Sequence, residues 1–494
     1  MLQKSDRIEI FLKVLFFAII VYFPLFLHLE NLPLRLWDES RLAVNAYEMW
    51  KGGDYIVTHF EGSPDMWNTK PPLMIWLQVL CIHFLGANEL AIRLPAALAA
   101  LFTCAGILFF ATRFLKSFWL GMIAVMILVT AGGYIDLHVT RTGDYDSLLV
   151  LNTTLYALCF FIFTETNKPK FFYLTILFLI LGALTKGVAA LLFLPALFLY
   201  LLLKKKLLQL LKTPHFYAGI FSFLLFVGGY YFLREHFNPG YLNAVMENEL
   251  GGRYLDTLEG HQHSYWVYFF NITDTHFSPW YLFIPVGLLF GIFHKQAVIR
   301  NLALYSALLV VIHFFTISSA QTRIFWYDAP MLPFLSLLAA IFFWYWFEYF
   351  STAKAFTHQL QKNVVPVALA FLVVVTPYSK IMDRVYKPKE EAWVIEYSFM
   401  RHLQKGLQGA KNLDRYFVCW ENAKTPAIFY VKAMQDKGVH IDFADYKKLK
   451  EGNIAMAFQT EIKREIESRY ETAILEEENN VRVYQIKTVY DCPN

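Results

Sequence analysis

Long apolar stretches joined by short polar links fill the first 379 residues. Measured against the ~20 residues needed to span a hydrocarbon core, eleven stretches predict membrane helices. They are 11–29, 90–112, 118–135, 147–163, 171–185, 188–203, 215–233, 277–294, 298–317, 328–350 and 363–379. Two of these, 171–185 and 188–203, are short and are split by Lys186. The apolar stretch 72–86 is too short for a full crossing and predicts a helix lying in the interface or re-entering it. After Tyr378 the pattern changes. Runs at 415–420, 439–443, 454–458, 473–476 and 481–486 read as strands, and 461–469 reads as a charged helix. That alternation predicts a small α/β domain. The expected fold class is an all-α polytopic membrane protein over 1–379, followed by an extracytoplasmic α/β domain over 380–494.

Composition agrees. The 494 residues are 57% hydrophobic, 18% aromatic and 17% charged, where a soluble domain carries about 25% charged residues. The net charge of +4 gives no sign of a nucleic-acid partner. Basic residues inform by position instead. With a cytoplasmic N-terminus, Arg113, Lys116, Lys168, Lys170, Lys204, Lys205, Lys206, Lys295, Arg300, Lys354 and Lys362 all fall in cytoplasmic links. The long loops 30–89 and 234–276 then face the opposite side, as the positive-inside rule expects. The stretch 11–29 is too long for a signal-peptide core and reads as a retained helix. Cys81, Cys104 and Cys159 lie in or beside apolar stretches. Cys419 and Cys492 share the outer domain, where a disulfide and two free thiols are both open.

Polar residues gather in four clusters on one predicted face. The first holds Asp38, Glu39 and Arg41, with Lys70-Pro71-Pro72 later in the same loop. The second is His138 through Arg141, Asp144 and Asp146; the third runs from Glu247 and Glu249 through Arg253 to His261 and His263. The fourth ends on Arg323 and Tyr327. Ionised groups near an apolar slab persist when they pair, face a cavity or do chemistry. Carboxylates beside cations suit an acid/base that activates an acceptor and a clamp for phosphate. Plainer roles are open to each residue. Asp38-Glu39 and one of Asp144 and Asp146 suit helix N-termini, and Lys70 suits a snorkelling lysine. His261 and His263 suit solvated loop histidines, and Arg323 and Tyr327 an interfacial belt. The chain has neither a GxxxxGK[ST] nor a GxGxxG phosphate motif.

The order Asp38-Glu39-Ser-Arg41, Tyr47-Glu48-Met49, Gly53-Asp54-Tyr55 and Lys70-Pro71-Pro72 resembles the first loop of ArnT-like glycosyltransferases. These are GT-C enzymes related to protein O-mannosyltransferases that use polyprenyl-phosphate sugars. The resemblance continues through Asn88 to Pro95, Arg141 to Asp146, Leu184 to Gly187, Gly252-Arg253-Tyr254, His263 to Tyr268, and Tyr327 through Pro333. It covers roughly the first 350 residues. It implies a GT-C fold, with Asp38 as catalytic base or acceptor-positioning acid and Asp146 as a second acid. Glu39 would support them, and Lys70, Arg253, Tyr327 and Arg323 would hold the donor phosphate. Asp144, Arg141, His261 and His263 would be acceptor-side or auxiliary groups. One position departs: the family carries glutamate before the lysine, linked to the acceptor site and a metal, and this chain has Thr69. The metal is therefore unassigned, and a divalent ion stays open.

The expected function is inverting transfer of a sugar from an undecaprenyl-type phosphate donor. The acceptor would be lipid A or another glycolipid, a glycan or a protein, at the periplasmic face of a bacterial inner membrane. The alternative is a transporter or flippase of lipid-linked sugars, since many spans with intramembrane charge also suit transport. Clusters confined to one face, without an apparent inverted repeat, weigh against it.

Overall fold

The computed structural model describes residues 4–135, 138–251, 262–352, 359–387, 394–421 and 424–490. Each of the eleven apolar stretches falls on helical chain. Among the described residues, seven helices are long and apolar enough to cross a membrane. An eighth span is added if Val267–His276 and Trp280–Ile292, bent by 115°, count as one. The stretches at 118–135 and 188–203 form shorter helices, Phe118–Val129 and Leu194–Leu203.

The helices that position the site are α1 (Lys4–Phe26), α2 (Asp38–Gly52), α3 (Leu73–Leu85), α4 (Glu89–Arg113), α5 (Phe118–Val129), α6 (Gly132–Ile135), α7 (Asp146–Thr166) and α8 (Pro169–Lys186). Local signals set several of their ends. The Asn88 side chain accepts from Ala91 N at 2.9 Å and starts α4. Ser117 caps α5 in the same way. Asn167, in the left-handed region at φ 56°, ends α7, and Pro169 opens α8 at a position that needs no N–H. The 72–86 stretch becomes α3, packed between α2 and α4.

Small residues allow close helix approach where apolar burial drives little association. A Cβ on Gly287 would lie 1.9 Å from the Leu338 carbonyl oxygen, so helices Phe283–Ile292 and Leu332–Thr352 meet backbone to backbone there. Outward-facing Phe109, Phe221, Phe232 and Phe293 are exposed, as expected of surfaces that meet lipid.

Helix Gln359–Tyr386 runs on through residue 380 and leads towards the last part of the chain. Strands β1 (His59–Phe60) and β2 (Ser63–Pro64) form a small hairpin in the first loop. A second sheet comprises β3 (Tyr416–Val418), β4 (Ile441–Phe443), β5 (Ile454–Ala457), β6 (Tyr470–Glu478) and β7 (Val481–Val489). Its order is β4-β3-β5-β7-β6, parallel across β4, β3 and β5 and antiparallel beyond. All five predicted strands and the helix at Thr460–Arg469 are present. Helices Val394–Leu407 and Thr425–Asp436 were not expected. The second packs on α2, so one core holds both Leu42 and Met49 of α2 and Phe429 and Met434 of the C-terminal part. Cys419 is buried in a neighbouring core, and Cys492 lies outside the described residues.

Candidate active site

The first loop enters α2 through Trp37, whose φ is 70°, and delivers Asp38 and Glu39 as the first two helical residues. The two acids then part. Asp38 has a side chain about one-third exposed, at 34%. Glu39 is buried and receives Nε of Arg93 at 2.7 Å and Nη2 at 2.9 Å. It also accepts from Arg35 N at 2.7 Å and Gly143 N at 2.8 Å. Arg93 spends its remaining donors on the carbonyls of Leu29, Leu32 and Pro33. Burial opposes charge on Glu39, but Arg93 and the backbone donors outweigh it and hold the carboxyl below its usual pKa. Glu39 therefore ties three segments together. Gly143 comes this close only because it lacks a side chain: a Cβ there would sit 2.4 Å from Ile92 Cγ2.

Lys70 is placed by a second network. Arg41 grips Asp65 with two bonds of 2.9 and 2.7 Å. Asp65 also accepts from Asn45 Nδ2 and from the backbone of Trp67 and Asn68. Burial would raise the Asp65 pKa, but Arg41 and these donors lower it. Asn68 reaches Tyr145 at 2.9 Å, and the Lys70 ammonium lies 5.6 Å from the Tyr145 ring centre. Lys70 Nζ is 3.4 Å from Glu249 Oε1, and Thr69 Oγ1 donates to the same oxygen at 3.3 Å.

The loop between α6 and α7 supplies the third group. His138, at φ 65°, stacks on Trp326 with ring centres 3.4 Å apart. Its Nδ1 bonds Asp144 and lies 3.9 Å from Asp38 Oδ2. Burial disfavours the His138 cation, but Asp144, with Asp38 and Asp146 behind it, raises its pKa. Burial likewise opposes charge on Asp144, and His138 prevails in lowering its pKa. Asp146, the first residue of α7, takes Lys186 Nζ on both oxygens at 2.7 Å. Arg141 donates instead to the carbonyls of Pro24, Leu27 and His28, closing the C-terminal end of α1.

Beside these groups opens a cavity of about 220 Å³. Its lining includes the polar residues Lys70, Lys186, Asp146, Glu249 and Tyr327 and the apolar residues Leu149, Leu192 and Ile317. Lys186 lies 5.5 Å from the Tyr327 ring centre. Asp38, Asp144, Asp146, Lys70 and Tyr327 are thus brought to one region. Arg323 is not on the cavity wall; it donates to the carbonyls of Ser318 and His263. His263 packs on Phe325 at 4.6 Å between ring centres. Arg253 and His261 lie outside the described residues. Sequence reasoning assigned no role to Lys186, Glu249 or His138. The signal for Lys186 was present, since a lysine interrupting an apolar stretch is by default functional.

Asp38, His138 and Asp144 place three ligand atoms within 4.8 Å of one another. One imidazole and two carboxylates form a donor set that suits a divalent cation. The same three groups suit proton transfer, with Asp38 partly open and His138 beside it.

Residues 69–231 match the family described as dolichyl-phosphate-mannose-protein mannosyltransferase. The structure of ArnT from Cupriavidus metallidurans bound to undecaprenyl phosphate superimposes with a TM-score of 0.68. The two chains are 16% identical, over 96% of this chain and 97% of that one. The archaeal oligosaccharyltransferase AglB from Archaeoglobus fulgidus, in complex with an inhibitory peptide and a dolichol-phosphate, gives a TM-score of 0.50. It is 10% identical and covers 87% of this chain and 64% of its own. A protein of Aquifex aeolicus (strain VF5) is 30% identical over 231 residues, 46% of this chain and 44% of its own. The chain spans less than half the length of the curated relatives it matches. These findings define a multi-pass membrane protein of the GT-C fold. Within that class the fold is ArnT-like, and the match of residues 69–231 to the mannosyltransferase family model agrees with the resemblance read from the sequence.

Proposed function

We propose that this protein is a glycosyltransferase that takes its sugar from a polyprenyl-phosphate donor, working at the periplasmic face of a bacterial inner membrane. The observation that carries the reading is the cavity. Lys70, Lys186 and Tyr327 line it together with apolar side chains such as Leu149, Leu192 and Ile317, a combination suited to a phosphate on a lipid tail. Preorganised cations there stabilise charge as it develops on the leaving phosphate. Asp38 receives the acceptor hydroxyl's proton as that oxygen attacks the anomeric carbon. The bond from that carbon to the phosphate oxygen breaks in the same step, so a single displacement inverts the centre. Asp146 holds Lys186 at 2.7 Å, and His138 and Asp144 orient charge around Asp38. A lipid A, other glycolipid, glycan or protein hydroxyl serves as acceptor.

The test is sugar transfer by the full-length protein in detergent, using polyprenyl-phosphate sugars with extracts of surface glycolipids and glycoproteins. Asp38→Asn is expected to lower turnover by about 10²-fold or more. Lys70→Ala is expected to raise the donor KM as well as lower turnover. Unchanged turnover in both, at normal expression, would sink the site assignment. Movement of intact donor across vesicles without transfer would favour the transporter reading.

A further inference from the structure

Four charged side chains line the cavity among the described residues: Lys70, Lys186, Asp146 and Glu249. Two of these are cations and two are carboxylates. Asp146 is committed to Lys186 on both oxygens. Glu249 arrives from a separate turn, Met246–Gly251, and its Oε1 meets Thr69 and Lys70 at 3.3 and 3.4 Å. With side chains only 13% and 18% exposed, Lys70 and Glu249 form a partly buried pair at the cavity wall. A phosphate reaching Lys70 must do so beside this carboxylate.

The charge of that phosphate changes during the proposed reaction. The sugar-linked donor is a phosphodiester with one negative charge. Transfer leaves the bond's electron pair on a phosphate oxygen, and the acceptor's proton goes to Asp38. The departing lipid is then a phosphomonoester, whose second proton has a pKa of about 6, so near pH 7.5 it is mostly a dianion. Glu249 repels the dianion about twice as strongly as the monoanion at the same distance.

We propose that Glu249 is a positioning residue that discriminates between donor and product by charge, pairing with Lys70 in the empty site and weakening the hold on the lipid monophosphate after transfer. This inference rests on the transferase reading above.

The experiment uses the full-length protein in detergent at pH 7.5, with undecaprenyl phosphate and its methyl ester as monoester and diester probes. Glu249→Gln is expected to tighten monoester binding about tenfold, and diester binding by less. In steady-state transfer the same variant should show lower kcat and stronger product inhibition, with a smaller change in donor KM. Glu249→Asp, which keeps the charge, should restore wild-type discrimination, and thermal unfolding of each variant reports the fold. A transferring wild type whose Glu249→Gln variant binds both probes as before, or binds the monoester more weakly, overturns the inference alone. A wild type that binds with the expected discrimination but transfers no sugar overturns the transferase reading and the product-release role built on it.

Discussion

Asp38 and Glu39 are adjacent in sequence and opposite in situation. Asp38 keeps its carboxylate partly open, whereas Glu39 is enclosed by Arg93, Arg35 and Gly143. Nothing in the sequence separates them, because the difference lies in Arg93, more than fifty residues away and buried at 2% exposure. The resemblance made Asp38, Lys70 and Asp146 legible. It could not reveal that Thr69, the departure from the family pattern, still sits beside a carboxylate, that of Glu249. Glu39 also gives a signed pH prediction. Its folded pKa is lowered by Arg93 and backbone donors against the opposing effect of burial. Its stabilising contribution is therefore present above the unfolded value of about 4.3 and fades as pH falls through the lower folded value. Glu39→Gln should cost about 3 kcal/mol at pH 7 by leaving Arg93 poorly paired. The gap in Tm from wild type should narrow as pH drops below about 4. A gap that persists unchanged to pH 3 would contradict this.

Helices α7 and α8 illustrate what patterning reveals about elements and what it misses. Their apolar stretches were legible, and the pattern marked Lys186 as an interruption between two short spans. In the structure α8 ends on Lys186 and a 3₁₀ turn, Gly187–Leu191, follows. The interruption is the place where a charge is aimed at Asp146 on the neighbouring helix. Pairing between helices leaves no local trace, so sequence periodicity could mark the lysine but not its partner. In the C-terminal part, strands were readable from short apolar and aromatic runs in a polar stretch. Thr425–Asp436 was not, because its buried residues, from Pro426 to Met434, cover too much of the helix for a one-sided amphipathic stripe. The α7–α8 pair can be probed directly. Lys186→Met should destabilise the protein by about 3–5 kcal/mol by stranding the Asp146 carboxylate. Adding Asp146→Leu should recover most of the Tm while transfer activity stays lost in both. Recovery of activity in the double variant would show that the pair only supports structure.

At the scale of the molecule, the boundary near residue 380 divides composition more cleanly than it divides packing. Tyr430 of the C-terminal part donates to Glu89 at 2.7 Å and accepts from Leu34 N at 2.9 Å. Tyr47 of α2 donates to Asp436 at 2.7 Å, and Lys432 meets Glu48 at the same distance. Gln404 donates to the Glu30 carbonyl at 2.9 Å. These contacts lie on the segments that carry Asp38 and, through Arg93, hold Glu39. A polar-composition rule marks the change near residue 380 but not this seam, since the seam is made by contacts some 340 to 400 residues apart in sequence. Removing 380–494 would strip one side of the core that packs α2 and leave Glu89 and the Leu34 amide without their tyrosine. The truncated chain is accordingly expected to lose transfer and to lose its sharp thermal transition in detergent, rather than to yield an active membrane core. Tyr430→Phe in the full chain, costing about 1–3 kcal/mol, separates the seam from gross deletion: Tm and turnover should fall together. A truncation that remains monodisperse and turns over like wild type would show that the C-terminal part is dispensable and that α2 holds Asp38 in place unaided.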